Sequence, residues 1–395
     1  MRTGFRIGRL FGIDVRIDWG LFLVFWLVTF NLGAGLFPRW HPEWNFLLTW
    51  SVAVASAVLF FASVLAHELS HALVARANGI PVRDITLLIF GGVTSLEREP
   101  PSPRSEFLMA VVGPLTSFAI GLVAWLIGGA FLGRAVDLSA SPELALRKVG
   151  PIATLLLWLG PINMMLGAFN LIPGFPLDGG RVLRATLWAL LGDLRAATRY
   201  ASGAGRVVGW LFIFVGISMM FGVHVPFFGT GFINGLWIAF IGWFLNNAAM
   251  ASYQQVVVRD VLQGVPVAAV MRTGTSTVDP NLSVEALVEQ YFMGTDQRAF
   301  PVVVGDQLVG IVCLQDLRRV PREHWQEARV HQIMTPASEL TVAAPGEQTS
   351  EALQKLSARD VEQIPVVEGG RLRGVLRRRD ILRWLEIHQF AQAPA

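Results

Sequence analysis

"SVAVASAVLFFASVLAHELSHALVARA", residues 51–77, runs without a charge to Ala66 and then places His67, Glu68 and His71 within five residues. Between Trp44 and Ala75 these three are the only ionisable side chains. A bilayer-spanning helix needs ~20 mainly apolar residues, and the uncharged run from Trp44 to Ala66 meets that length. Arg76 follows His67 by nine residues, ~13–14 Å along a helix rising 1.5 Å per residue. His67 is therefore expected inside the hydrocarbon layer, toward the side that Arg76 marks. Ionisable groups at that depth are costly and mark function. Four residues apart on a helix, His67 and His71 lie on one face, one turn from each other. Two imidazoles so placed can share a zinc ion at ~2.0–2.1 Å. Glu68, beside them, has the position of a general base acting on a water. A solvated helix face would explain the triplet in a soluble protein but not here, and a packing pair of histidines would not explain the carboxylate between them.

The rest of the first 260 residues repeats the membrane signal. The chain is 53% hydrophobic and 15% charged over 395 residues, with a mean hydropathy of +0.50, a membrane-protein composition. Six spans are predicted, near residues 19–37, 44–76, 107–132, 150–172, 207–223 and 231–250, with residues 181–191 as a short membrane-level or interfacial helix. The cations are almost all arginine, Lys148 and Lys355 being the two lysines, and the net charge is +3. Arginines gather before span 1 (Arg2, Arg6, Arg9, Arg16), between spans 2 and 3, and between spans 4 and 5. The positive-inside rule then puts both termini in the cytoplasm of a multi-pass cell-membrane protein. Scattered arginines exclude a nucleic-acid face. The single cysteine, Cys313, excludes a disulfide framework and a Cys-rich metal site. The N-terminus lacks a compact apolar core with a cleavage site, so no removable signal peptide is read.

A catalytic zinc takes three protein ligands and keeps a fourth position open. Two residues compete for the third place. His224 lies between spans 5 and 6, on the opposite side by the arginine count. Asp178 ends an uncharged stretch inside "NLIPGFPLDGGR", residues 170–181. There Pro173 and Pro176 stop regular helix while Gly174, Gly179 and Gly180 free the backbone. Broken backbone at membrane depth is tolerated only against protein or a wet cavity, so this carboxylate can reach a neighbouring helix; an interfacial helix cap is the alternative. Asn170 opens the same stretch. Its amide could donate to a developing oxyanion or bond another helix, and chemistry alone leaves both open.

After about residue 261 the text becomes charged, with short apolar runs and turns, and it repeats. "AFPVVVGDQLVGIVCLQDLRRV" (299–320) parallels "QIPVVEGGRLRGVLRRRDILRWL" (363–385): Pro301, Gly310 and Asp316 match Pro365, Gly374 and Asp380. Two copies of a β-α-β-β-α unit are expected.

Taken together, "HELSH" on one span, "NLIPGFPLDGG" on a later one, and "FGGVTSLE" and "GPLTS" between them resemble the site-2 protease family of intramembrane zinc metalloproteases. The C-terminal repeats resemble a pair of CBS (cystathionine-β-synthase) domains, and the likeness covers essentially the whole chain. It implies a membrane α-helical fold, a six-span core with a small β-hairpin or sheet, followed by an α/β CBS pair. The corresponding domains are residues 1–255, 256–326 and 327–390. It implies His67, His71 and Asp178 as ligands of one zinc, Glu68 as catalytic base and Asn170 as a substrate or transition-state contact. The expected reaction is cleavage of a transmembrane segment of a regulatory membrane protein within the lipid bilayer. Residues 82–97 are β-rich with a Gly-Gly turn, so Gly91, Gly92 and Val93 are candidates for pairing with an unwound substrate by strand addition; a plain structural hairpin is equally compatible. CBS pairs imply an adenine nucleotide, with Asp316 and Asp380 on the ribose, and homodimer formation. The threonine expected three residues before each aspartate is Cys313 in one copy and Arg377 in the other, which weakens the nucleotide reading; each aspartate also fits an ordinary helix cap. A CBS-regulated metal transporter or channel is the competing function. It needs no carboxylate between the histidines, and the spans show no internal repeat of the kind common in transporters.

Overall fold

The structure is a computed structural model that describes residues 4–89, 91–96, 98–135, 147–226, 228–295 and 297–390. Phe90 and Glu97 of "FGGVTSLE" lie outside the described residues. The chain divides into two compact units, Met1–Val256 and Val257–Ala395.

In the first unit, six helices are long and apolar enough to cross a membrane: Trp19–Trp40, Phe46–Ala77, Pro103–Phe131, Pro151–Asn170, Leu194–Met220 and Phe232–Val258. The first comprises α1 (Trp19–Phe30), a π-helical stretch over Asn31–Leu36 and α2 (Phe37–Trp40). Next comes α3 (Phe46–Ala77), begun by Asn45, whose side chain accepts from the Leu48 amide at 2.9 Å. It ends at Asn78 and Gly79, where the Ile80 amide returns to the Ala75 carbonyl, a left-handed glycine stop. Its inward stripe is built mainly of small or polar residues, among them Ala53, Ser56, Ala57, Ser63, His67, His71, Ala72 and Ala75, which permits the close helix approach that membrane bundles use. Helices α4 (Pro103–Ala135) and α5 (Pro151–Asn170) pack beside it. The short helix expected at 181–191 is α6, Asp178–Leu191.

Helix α7 (Leu194–Met220) starts well before the span expected from Val207. An uncharged run locates the hydrocarbon, not the end of the helix. Here Asp193 caps the amides of Arg195 and Ala196, and the helix continues through Arg199 and Arg206. Helix α8, Phe232–Val261, completes the set.

The hairpin expected at 82–97 belongs to a larger sheet. Strands β1 (Gly4–Leu10), β2 (Ile13–Asp18), β3 (Val82–Leu88) and β4 (Gly91–Leu96) lie in that order. The β1–β2 and β3–β4 pairs are antiparallel, and β2–β3 is parallel. No strand is expected before span 1; the signal for the β1–β2 pair is the alternation of Ile13, Val15 and Ile17 after a Phe11-Gly12 turn, both of whose residues have positive φ, as a type I′ hairpin turn requires. Ile13 and Ile85 are fully buried with Ala72 of α3, so the sheet rests on the turn of the helix that carries the histidines.

In the second unit one sheet runs β5 (Ala299–Val304), β6 (Gln307–Cys313), β9 (Arg371–Arg377), β8 (Gln363–Glu368), with the short β7 (Thr335–Pro336) on β6. The two hairpins carry equivalent bulges, between Val302 and Val303 and between Val366 and Val367, so the repeat holds at the level of single residues. The cores interleave. Leu262, Val267 and Val270 pack with Ile364, Val366 and Leu376 of the second copy, whereas Val330 and Ile333 pack with Phe300 and Val302 of the first.

Candidate functional site

His67 and His71, both buried on α3, turn their Nε2 atoms toward one point, 3.2 Å apart. Asp178, the first residue of α6, brings Oδ2 to 3.0 Å from His67 Nε2 and 3.1 Å from His71 Nε2. The carboxylate is not a helix cap: Leu177 occupies the cap position, with no side-chain bond there. Among the described residues this is the one group of three that could hold a metal ion. His224, the rival third ligand, is exposed in the loop after α7.

The donor chemistry fits zinc. The Nδ1 of His71 faces the Met109 carbonyl at 2.5 Å, an acceptor that requires Nδ1 to carry the proton and leaves the Nε2 lone pair for a metal. The Nδ1 of His67 meets Ser117 Oγ at 2.9 Å. Tetrahedral ligands at ~2.0–2.1 Å from zinc stand about 3.3–3.4 Å from one another, within a few tenths of an ångström of the spacing seen here.

Helix α4 supplies what the two-histidine motif left out. Met109 and Ser117 orient the imidazoles, and between them Gly113 lets the rings meet. A Cβ at Gly113 would press on His71 Nε2 and lie 2.7 Å from His67 Nε2. Pro114, inside the same turn, cannot donate to the Ala110 carbonyl and so interrupts the helical ladder beside the site. The signal for these roles was present as "GPLTS", but which atoms it meets depends on the α3–α4 packing.

Glu68 points to the sheet side. Its Oε2 accepts from Thr94 Oγ1 of β4 at 3.0 Å. Gly92 packs against the Glu68 side chain so closely that a Cβ there would lie 2.7 Å from Cδ. Gly91 has φ +127°, and Val93 is exposed. Among the described residues β4 forms one border of its sheet, with β3 as its partner. Asn170 stands apart. At the end of α5 its amide donates to the Leu166 carbonyl at 3.0 Å, and it makes no hydrogen bond to His67, Glu68, His71 or Asp178.

A buried ion pair holds α6 in place. Arg184 donates through Nε to Glu106 Oε1 at 2.7 Å and through a second nitrogen to the same oxygen, and its guanidinium lies 5.2 Å from the Phe175 ring centroid. Glu106 opens α4, so this pair ties the helix bearing Asp178 to the helix bearing Gly113 and Ser117. From sequence Arg184 counted only toward the arginine bias.

In the repeats, the Asp316 carboxylate accepts from the Cys313 amide at 2.8 Å and pairs with Arg319 at 3.3 Å, closing a short 3-10 turn (Leu314–Arg319). Asp380, in the first turn of α9 (Arg378–Phe390), takes Arg377 on both oxygens at 2.6 and 2.8 Å.

Comparison with known proteins gives the family. Residues 55–216 match peptidase family M50, and residues 267–323 and 330–387 match the CBS domain. Rip3 of Mycobacterium tuberculosis is 33% identical over 394 residues, covering 99% of this chain and 95% of Rip3. The sll0528 protein of Synechocystis is 32% identical over 389 residues, covering 98% and 96%. MJ0392 of Methanocaldococcus jannaschii is 27% identical over 387 residues, covering 98% and 97%. All three carry "zinc metalloprotease" in their names. The solved site-2 protease of M. jannaschii aligns with 63% of this chain and 95% of its own, at 26% identity and a TM-score of 0.40. The protein is thus a multi-pass membrane zinc metalloprotease. It belongs to peptidase family M50, the site-2 proteases, and carries a C-terminal CBS pair.

Proposed function

We propose that this protein hydrolyses a peptide bond within a transmembrane segment of a regulatory membrane protein, and that its CBS pair, on the cytoplasmic side with both termini, modulates that cleavage. The observation that carries the reading is the convergence of His67, His71 and Asp178, whose ligand atoms lie 3.0–3.2 Å apart although Asp178 is more than a hundred residues away in sequence.

His67, His71 and Asp178 would hold the zinc, with Met109 and Ser117 fixing the imidazole tautomers. When bound, the zinc supplies a Lewis acid that polarises the scissile carbonyl and makes a water acidic near neutral pH. Glu68 takes the proton of the attacking water and returns one to the leaving amine; Thr94 holds its carboxylate on the sheet side of the site. A helical substrate shields its own peptide bonds, so it must unwind first. Among the described residues the outer border of β4 has no strand partner, and with Gly91, Gly92 and Val93 it offers backbone groups for strand addition. Asn170 would reach an oxyanion only by leaving its bond to the Leu166 carbonyl. In the CBS pair, Asp316 and Asp380 are the candidates for an adenine nucleotide's ribose. The pair is also the proposed homodimer contact. Metal transport draws no support from membership of a protease family.

The test is Glu68→Gln in membranes that co-express single-span regulatory proteins. Zinc should remain at one per chain while cleavage stops. Continued cleavage by the variant, or metal flux with no cleavage by the wild type, would refute the proposal.

A further inference from the structure

Glu68 directly follows the metal-facing His67, and a helix turns about 100° per residue, so its side chain leaves α3 toward the sheet. What meets it there is the inward face of β4. Residues directly opposite each other in an antiparallel pair share a face. Gly92 stands opposite Leu87, and Thr94 opposite Ile85; both of these β3 residues are buried against α3. Gly92 and Thr94 therefore face α3 as well, and the exposed Val93 between them faces away. Two positions on, Leu96 continues the pattern and packs with Ala75 and Met109. The inward face of β4 is thus apolar where it meets the core, and small or polar where it meets Glu68.

Each of these two residues constrains the carboxylate. Thr94 Oγ1 lies 3.0 Å from Glu68 Oε2 and 3.4 Å from the Glu68 carbonyl oxygen. One hydroxyl thus fixes the end of a long side chain against its own main chain and leaves Oε1 for a proton. Gly92 clears the space beside it: a Cβ there would press on Glu68 Cγ and lie 2.7 Å from Cδ and 3.1 Å from Oε1. Gly91 needs to be glycine for its φ of +127°, whereas Gly92 lies outside the left-handed region. What excludes a side chain at Gly92 is therefore Glu68. We propose that Gly92 and Thr94 are positioning residues for the reaction: the glycine makes room for the base and the threonine latches it, in the placement from which Oε1 takes the proton of the attacking water. The proposal rests on the reading of Glu68 as the base. It gives Gly92 a task in the chemical step besides any main-chain pairing with substrate.

The test uses the full-length protein in detergent and a purified single-span protein that the wild type cleaves. It reads kcat, KM and zinc affinity by chelator competition. Thr94→Val keeps the β-branched shape that suits a strand and removes the hydroxyl. It should lower kcat about 10–100-fold, since a shift of about 1 Å at a reacting group can cost about 100-fold, with KM and zinc affinity unchanged. Thr94→Ser should restore most of the rate. Gly92→Ala should lower kcat at least as far, again at constant KM and zinc affinity. Ser95→Ala is the control for general weakening of the strand: its hydroxyl bonds Asp84 at 2.7 Å, and its loss should leave kcat as in the wild type. Thr94→Val with wild-type kcat would overturn the proposal, as would a loss that Thr94→Ser does not restore or that Ser95→Ala reproduces. Gly92→Ala that raises KM and spares kcat would return Gly92 to substrate pairing alone and overturn its part. Cleavage by Glu68→Gln would remove the base itself, and the proposal with it; cleavage lost in Glu68→Gln but intact in Thr94→Val and Gly92→Ala would sink the proposal alone.

Discussion

Gly113→Ala tests the metal centre by adding a single methyl group. Its Cβ would lie 2.7 Å from His67 Nε2, against an ordinary contact of at least 3.4 Å, so that nitrogen must retreat by about 0.7 Å, and His71 Nε2 is pressed at the same time. Metal–ligand distances hold to about ±0.2 Å, so neither imidazole can keep its bond. Changes that only reorient a ligand lower metal affinity by about 10–100-fold; displacing two ligands should lower it by more than 100-fold. The helix itself should not suffer, since alanine is favoured over glycine in helices by about 1 kcal/mol. Gly129 of the same helix is the control, because a Cβ there meets nothing within 4 Å. Competition with a chromophoric zinc chelator, beside circular dichroism of the detergent-solubilised protein, reads both quantities. Gly113→Ala should keep wild-type helicity and lose zinc, and Gly129→Ala should keep both. Zinc held by Gly113→Ala at wild-type affinity would refute the geometry on which the site is built.

Ser117→Ala removes one orienting partner of His67 and should weaken zinc about 10–100-fold, measured by the same competition. Arg184→Met strands the buried Glu106 carboxylate and should destabilise the membrane unit by about 3–5 kcal/mol; Glu106→Gln with Arg184→Met should recover most of that in thermal unfolding, and a double variant as unstable as the single one would contradict the pairing. Burial, with Asp316 adding to it, pushes the Cys313 thiol from 9.0 up to about 11. The folded state therefore keeps the proton where the unfolded chain has begun to lose it. Because the thiolate is the reactive form, alkylation at pH 8 should run about 100-fold slower in the folded protein. The folded rate should keep rising about tenfold per pH unit up to pH 10, while that of the denatured thiol levels off above about pH 9. Equal rates at pH 8 would contradict the half-buried, proton-holding thiol.

Much of this protein could be read before folding because its strongest signals are local. Uncharged runs located the six crossings through the hydration cost of charge, His67, Glu68 and His71 stood out against that cost, and the matched prolines, glycines and aspartates declared the repeat. What stayed hidden depends on how one element lies against another. Asp178 competed with His224 until helix packing turned its carboxylate onto the imidazoles. Gly113 and Ser117 took their meaning from the α3–α4 register, and the Glu106–Arg184 pair joins residues 78 apart in sequence. The N-terminal hairpin pairs with a strand some seventy residues on, and Leu262 and Val330 cross into the core of the other repeat. Solvation and periodicity act within a window of a few turns, and sequence reports them directly. Contact between distant side chains is decided by the shape complementarity of whole helices and sheets, which exists only once the chain has folded.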